Sequence, residues 1–310
     1  MPRTKKQHYV PQFLLRNFAT GSRKTPKLWT LDKSTQNIRY SSVREVGHEN
    51  LFYEHHDQDG SRAELEDLMM RIDSIGAEII GRILKESSLQ LLSEDFEWLS
   101  YFVACQMLRT PMVRKDMENI REMVIRKWGP NVRAGDDLRT VGEYGTEDSK
   151  LSSLLLLRDV PEFANLLQTK VWTLEKAPKE STFIIGDNPV SRYNMIDRCP
   201  RGNLGLNSTG IELYMPLSPR YSIHIICPAL AENFLRMDGV AEAYSNAINR
   251  GIPVQLQPEN VVFANSQQVI WAERFVFGRE KIDLSLPIDM LLTNPELVSG
   301  PGVRQCPEEV

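Results

Sequence analysis

Cysteine is scarce in this chain, with four residues in 310, at positions 105, 199, 227 and 306. None forms a CxxC pair, which fits neither a zinc site nor a disulfide scaffold and leaves free thiols in a reducing compartment. Long apolar runs are missing as well. No stretch approaches the roughly 18 consecutive apolar residues of a membrane span, and the opening segment lacks an apolar core of signal-peptide length. The expectation is a cytoplasmic protein without a membrane partner. Charge of one sign is also lacking: 37 Lys plus Arg stand against 41 Asp plus Glu, a net charge of −4. That removes any global drive toward nucleic acid or anionic lipid and leaves only a local basic groove as a route to either. Established catalytic signatures are absent too. There is no GxSxG and no HExxH, no particular serine can be placed in a triad, and the glycines of Arg201 to Gly205 lack the strand-to-helix setting of a phosphate loop.

What the chain does have is enough apolar material, 41% of residues, for one large domain or two intimately packed halves. Pro11 opens a short amphipathic helix with Phe13, Leu14, Asn17 and Phe18 on one face, closed by Gly21. Residues 27–31 and 38–40 alternate around a turn and read as a β-hairpin. Over residues 63–84 the spacing of Leu65, Leu68, Met69, Ile72, Ile75, Ile79, Ile80 and Ile83 predicts a long amphipathic helix. A second long helix is predicted from Ser93 to Trp128, kinked or split by Pro111 and stopped at Gly129-Pro130. Residues 131–150 are expected to be a mobile excursion. Two short helices over 151–168 then lead to strands at 170–175, 182–185, 211–215 and 221–226, a helix at 258–272 and an edge strand at 274–277, with a poorly ordered tail after Pro295. The expected fold class is α+β, with two long N-terminal helices packed on a small antiparallel sheet from the second half. One domain would span residues 1–280, divided into a helical half (1–130), the excursion (131–150) and a sheet-containing half (151–280), and 281–310 would be a C-terminal extension.

Four segments occur in order: HYVPQFLLRNF at the start, CQMLRTP in the second long helix, IIGDNPV after a strand and FANSQQVIWAERFVF near the end. Over residues 5–280 the chain thereby resembles the domain-of-unknown-function (DUF) family 4238. The resemblance implies a fold-sized unit and candidate positions, but no mechanism. Such proteins often carry a second glutamate on the first long helix where this chain has Asp73, so no role resting on a glutamate pair at 66 and 73 carries over.

His8 is the first candidate for chemistry, because imidazole titrates near neutral pH and this one precedes a helix N-terminus that favours an anion. The alternative is that it caps the helix or bonds a buried carbonyl. Gln106 and Arg109 share a helix face with Phe102 and Val113. Arg109, just before the Pro111 break, could grip a phosphate or carboxylate, or pair with Glu66 or Asp73. Asp187 follows a strand and could act as a base, orient His8 or bind a hard cation, whereas turn formation explains Asn188-Pro189. Asn265 and Gln268, amides on an apolar helix, must find buried partners or reach a pocket. His55 and His56, with Asp57 and Asp59, lie in a polar loop without metal-fixing spacing; His48 reads as a turn residue and His224 as core.

If His8, Arg109, Asp187 and Asn265 converge between the helices and the sheet, they suit a phosphodiester-acting hydrolase, a nuclease-like effector on nucleic acid or nucleotide. His8 would be general acid or base, Arg109 would stabilise the anionic transition state, and Asp187 would orient His8 or a divalent metal. Gln12, Gln106, Asn188 and Asn265 would contact the ligand. No fixed metal site is assigned. The competing class is a non-catalytic ligand-binding or sensor domain for a small anionic molecule, which the net negative charge favours over broad nucleic-acid binding.

Overall fold

A computed structural model describes residues 6–22, 24–53, 62–133, 139–196 and 203–301, the side chains of 62–66 excepted. His55, His56, Asp57, Asp59, Cys199 and Cys306 lie outside the described residues, as does the side chain of Glu66. The fold is mixed, with helices and several sheets. The N-terminal region is mostly strand: β1 (Lys6–His8), α1 (Gln12–Asn17), β2 (Lys27–Asp32), β3 (Asn37–Ser42) and β4 (His48–Asn50). α1 buries Leu14 and Leu15, and the β2–β3 hairpin follows the predicted alternation.

Three helices come next, α2 (Arg62–Glu86), α3 (Ser93–Leu108) and α4 (Pro111–Trp128). The expected second helix is therefore two. Thr110, preceding a proline, is pushed to the extended region (φ −113, ψ 157) and ends α3. α3 is buried almost all round from Leu99 to Leu108, as befits a central helix, and α2 approaches it at Gly76, where a Cβ would stand 2.6 Å from the Phe102 ring. Residues 139–150 are not an irregular excursion. They form a 3-10 turn (Val141–Glu143), held by the Glu143 carboxylate accepting from Thr140 N at 2.6 Å, and then the start of α5 (Thr146–Leu155).

The second half continues with α6 (Val160–Gln168), β5 (Val171–Lys176), β6 (Ile185–Gly186), β7 (Ser191–Tyr193), β8 (Glu212–Ser218) and β9 (Tyr221–Ile226). It ends in α7 (Pro228–Phe234), α8 (Ala241–Arg250), β10 (Val254–Gln255), α9 (Pro258–Trp271), β11 (Phe275–Gly278) and α10 (Ser285–Thr293). Five strands form one sheet in the order β10-β5-β9-β8-β7, antiparallel except for the parallel β10–β5 pair. β8 is buried from Glu212 to Leu217, so it is covered on both faces.

A second sheet, β3-β2-β11-β6, joins the N-terminal hairpin to strands more than 140 residues away. The expectation of two long N-terminal helices packed on a small, C-terminal antiparallel sheet is thus corrected in three ways. Sheet is built from both ends of the chain, one pair is parallel, and β11 lies between β2 and β6 rather than at an edge. Residues 281–298 are no loose extension either. Leu284 and Leu291 are fully buried in a small satellite core with Leu31, Ile184, Val269 and Val276, and Pro295–Val298 forms a further 3-10 turn.

Candidate ligand-binding site

The motif residues fall into separate hydrogen-bonded groups and are occupied by the fold. Arg109, at the α3–α4 break, is fully buried; its Nη2 donates to Asp73 Oδ1 at 2.5 Å and to Gln106 Oε1 at 2.9 Å. Burial works against its charge, yet Asp73 outweighs it and raises the guanidinium pKa further. Of the two acidic partners considered, Asp73 takes the arginine. Gln106 Nε2 donates to the Tyr9 carbonyl at 2.9 Å, and the Tyr53 hydroxyl to the His8 carbonyl at 3.2 Å, so the entry segment is bound through its backbone.

The His8 ring stands apart from this network. It lies 5.2 Å from the His48 ring, with Gln12 Nε2 3.5 Å from its Nδ1. Burial, and then the neighbouring His48, push its pKa down to about 4, so it is neutral at neutral pH.

Asp187 is buried at the end of β6. Its Oδ1 accepts from Glu273 N at 2.7 Å, and its Oδ2 from Arg274 N and Phe275 N, both at 2.8 Å. Burial pushes the carboxyl up to about 6 against these three donors and the nearby Lys33. Lys33, itself buried, donates to the carbonyls of Val269 at 2.8 Å and Ala272 at 2.5 Å at the C-terminal end of α9, a cation where the helix dipole favours one. Asp187 therefore fastens the segment that links α9 to β11 and does not orient His8. Asn265 accepts from Ile184 N and donates to Thr182 O; Gln268 accepts from Gly186 N and donates to Pro189 O. Gly186 is required there, since a Cβ would meet the Gln268 carbonyl at 2.9 Å. Asn188 is buried beside this staple.

A cleft lies elsewhere in the fold, lined by residues that the sequence does not single out. It holds about 420 Å³ and lies among the end of α3, the first half of α4, β7, the end of α9 and residues 203–205. None of His8, Arg109, Asp187 or Asn265 lines it. Its wall is apolar, with Met107, Met112, Met117, Ile120, Phe163 and Trp271, and two charged side chains face it, Arg192 and Asp116. The Arg192 guanidinium lies 4.6 Å from the centroid of the Trp271 ring. Among the described residues no carboxylate lies within ion-pair distance of it. Burial lowers its pKa, with Asp116 acting in opposition, and burial pushes Asp116 up to about 6.

The break at Pro111 sets the direction of α4 and so opens the cleft, while the Asp187 and Gln268 staples bring β7 and the end of α9 together. The cleft residues come from widely separated segments with no local spacing, and the one hint in the sequence is an arginine in the short strand that follows Gly186-Asp187-Asn188-Pro189.

A second buried cluster also escaped notice. His224 Nδ1 lies 3.1 Å from Glu175 Oε1 and its Nε2 3.1 Å from Glu212 Oε2, while the Tyr214 ring stacks on the imidazole at 4.4 Å and its hydroxyl donates to Glu212 at 2.7 Å. Burial opposes the imidazolium, but Glu175 and Glu212 outweigh it and push the pKa up to about 9. His224 is core, as its strand position indicates, but a charged core residue. Among the described residues no three His, Cys, Asp or Glu side chains are placed to hold a metal, and no helix is long and apolar enough to cross a membrane.

With fold and site in view, the architecture defines a mixed α/β domain with an apolar, arginine-bearing cleft. The model of a family described as a protein of unknown function (DUF4238) matches residues 6–281, and the chain belongs to that family. No curated protein matches the chain, and no solved structure does.

Proposed function

We propose that this chain is a non-catalytic binding domain for a small molecule with an anionic head and an apolar body, seated in the cleft between α4 and Trp271. The observation that carries this reading is Arg192, a guanidinium stacked on an indole at 4.6 Å, without an ion-pair partner among the described residues, at the mouth of an apolar cleft of about 420 Å³. A half-buried arginine in an apolar cleft lacks the solvent that would otherwise satisfy it, and a ligand carboxylate or phosphate would supply a partner for its planar fork. The cleft falls in the size range of small-molecule sites, and its walls have the composition of one. The free buried thiols of Cys105 and Cys227 suit a cytoplasmic setting.

A phosphodiester-acting hydrolase would need His8, Arg109 and Asp187 free to reach a substrate. Arg109 is spent on Asp73 and Gln106, and Asp187 on three backbone donors, so the geometry favours the binding domain. The test is a calorimetric titration of the full chain with octanoate and 3-phenylpropanoate, repeated on Arg192→Gln. Saturable binding that weakens about tenfold or more in the variant is expected, the worth of a charge-assisted hydrogen bond. Failure of every such acid to bind, with or without a neighbouring ammonium, would overturn the reading.

A further inference from the structure

The two charges of the cleft are not paired with each other. Arg192 and Asp116 line the same 420 Å³ space and each influences the titration of the other. Yet no salt bridge joins them, although an exposed arginine and an aspartate free to approach would close into a fork-on-carboxylate pair. Both are held back by their own elements. Arg192 extends from β7, with its guanidinium on the Trp271 ring, and the Trp271 indole donates to the Arg192 carbonyl at 2.7 Å, so the stack is fixed from both sides. Asp116 projects from α4, whose direction is set by the Pro111 break. The result is a positive and a negative group that line the same apolar chamber without pairing with each other.

We infer that the cleft takes a zwitterion with the head of an α-amino acid and a large apolar side chain, its carboxylate on Arg192 and its ammonium on Asp116. This rests on the proposed binding function and narrows the ligand class.

Complementarity decides among the alternatives. A purely anionic head would satisfy Arg192 but leave the Asp116 carboxylate facing like charge, with Glu273 adding to the negative field there. A phosphate, with its greater charge, would suffer more. A purely cationic head would satisfy Asp116 and oppose Arg192. Adjacent opposite charges on one carbon satisfy both groups at once and leave neither charge of the cleft unpaired.

The rest of the chamber selects the side chain. Met107, Met112 and Met117 present three flexible, polarisable thioethers, and Ile120 and Phe163 complete an apolar wall that rewards a bulky aliphatic or aromatic group and adapts to its shape. The volume suits one such amino acid rather than an extended peptide.

The experiment compares ligands on the unaltered full chain by calorimetric titration at pH 7. The probes are L-phenylalanine, L-leucine and L-methionine, against 3-phenylpropanoate, which lacks the ammonium, and phenylalaninamide, which lacks the carboxylate. The amino acids are expected to bind, and each deletion to weaken binding about tenfold or more. In Asp116→Asn the gap between phenylalanine and 3-phenylpropanoate should close. If 3-phenylpropanoate binds as tightly as phenylalanine, and both are lost in Arg192→Gln, the zwitterion is overturned while the acid-binding cleft stands. If neither amino acids nor simple acids bind, both fall. Because the comparison rests on changes in the ligand, it decides the matter even if Asp116→Asn does not fold.

Discussion

The Arg192 guanidinium rests 4.6 Å from the centre of the Trp271 ring, and the Trp271 indole N–H returns a hydrogen bond of 2.7 Å to the Arg192 carbonyl. The two residues are 79 positions apart. They meet because Gln268 ties α9 to the turn before β7, and Asp187 ties that turn to the residues after α9. Trp271→Phe keeps the apolar wall but removes the indole donor and weakens the cation–π contact. We expect a loss of about 1 kcal/mol in urea unfolding and a several-fold loss of ligand affinity. Unchanged affinity would mean that Trp271 does not hold the arginine in place.

Arg109 and Asp73 are predicted to act as a structural pair. Arg109→Met leaves Asp73, whose side chain is 27% exposed, without its partner, so the loss should fall at the lower end of the range for broken buried pairs, about 2–3 kcal/mol. Asp73→Asn should cost at least as much, because it leaves the fully buried guanidinium without its counterion. The double variant should be less damaging than the sum, with a coupling of about 1 kcal/mol or more. A double-mutant cycle by urea denaturation measures this, and strict additivity would contradict the pairing.

Asp187→Asn replaces a carboxylate that accepts from three backbone N–H groups with an amide that can offer only one acceptor atom. A loss of about 2–4 kcal/mol is expected. Since the same residue fixes the end of α9 beside Arg192, variants that still fold should also bind ligand more weakly. A stable Asp187→Asn protein that had lost only an activity would instead return this residue to the role of a reacting group.

Two histidines make opposed contributions to the pH dependence of stability. The His224 pKa is raised in the folded state to about 9, so its stabilisation is fully present below the unfolded value of 6.5 and is lost as pH rises through 9. The His8 pKa is depressed to about 4, so its contribution is present above 6.5 and is lost as pH falls toward 4. Between pH 4 and 6.5 the His8 contribution rises while those of Asp187 and Asp116, whose carboxyls burial pushes up to about 6, fall, and from 6.5 to 9 stability should decline through His224. His224→Gln should flatten the alkaline limb, and His8→Gln should remove the rising contribution on the acid side, in chemical denaturation at stepped pH. An alkaline limb unaffected by His224→Gln would show that the imidazole is not charged in the core.

Local elements were the legible part of this sequence. The β2–β3 hairpin announced itself by alternation, α2 by its apolar spacing, and α9 by Pro258 followed by an acidic first turn, because each of these signals is written in neighbouring residues. The sheets were less legible, since β11 finds its place between β2 and β6 only when the two ends of the chain meet. Of the four residues expected to converge as a site, His8, Arg109, Asp187 and Asn265, the last three carry polar chemistry in apolar surroundings, and that signal reported buried hydrogen bonding. The charges that do face a cleft, Asp116 and Arg192, look ordinary in sequence, one on a charged helix and one in a three-residue strand. Only packing exposes them together.

The most direct measurement is the indole N–H spectrum of the full chain during addition of L-phenylalanine, with the Trp271 resonance assigned from Trp271→Phe. The account predicts that the Trp271 signal moves saturably while those of Trp29, Trp98, Trp128 and Trp172 stay still, and that nothing moves in Arg192→Gln. A spectrum unchanged at saturating amino acid and carboxylate, or a response confined to Trp98 in the separate groove between α2 and α3, would contradict it.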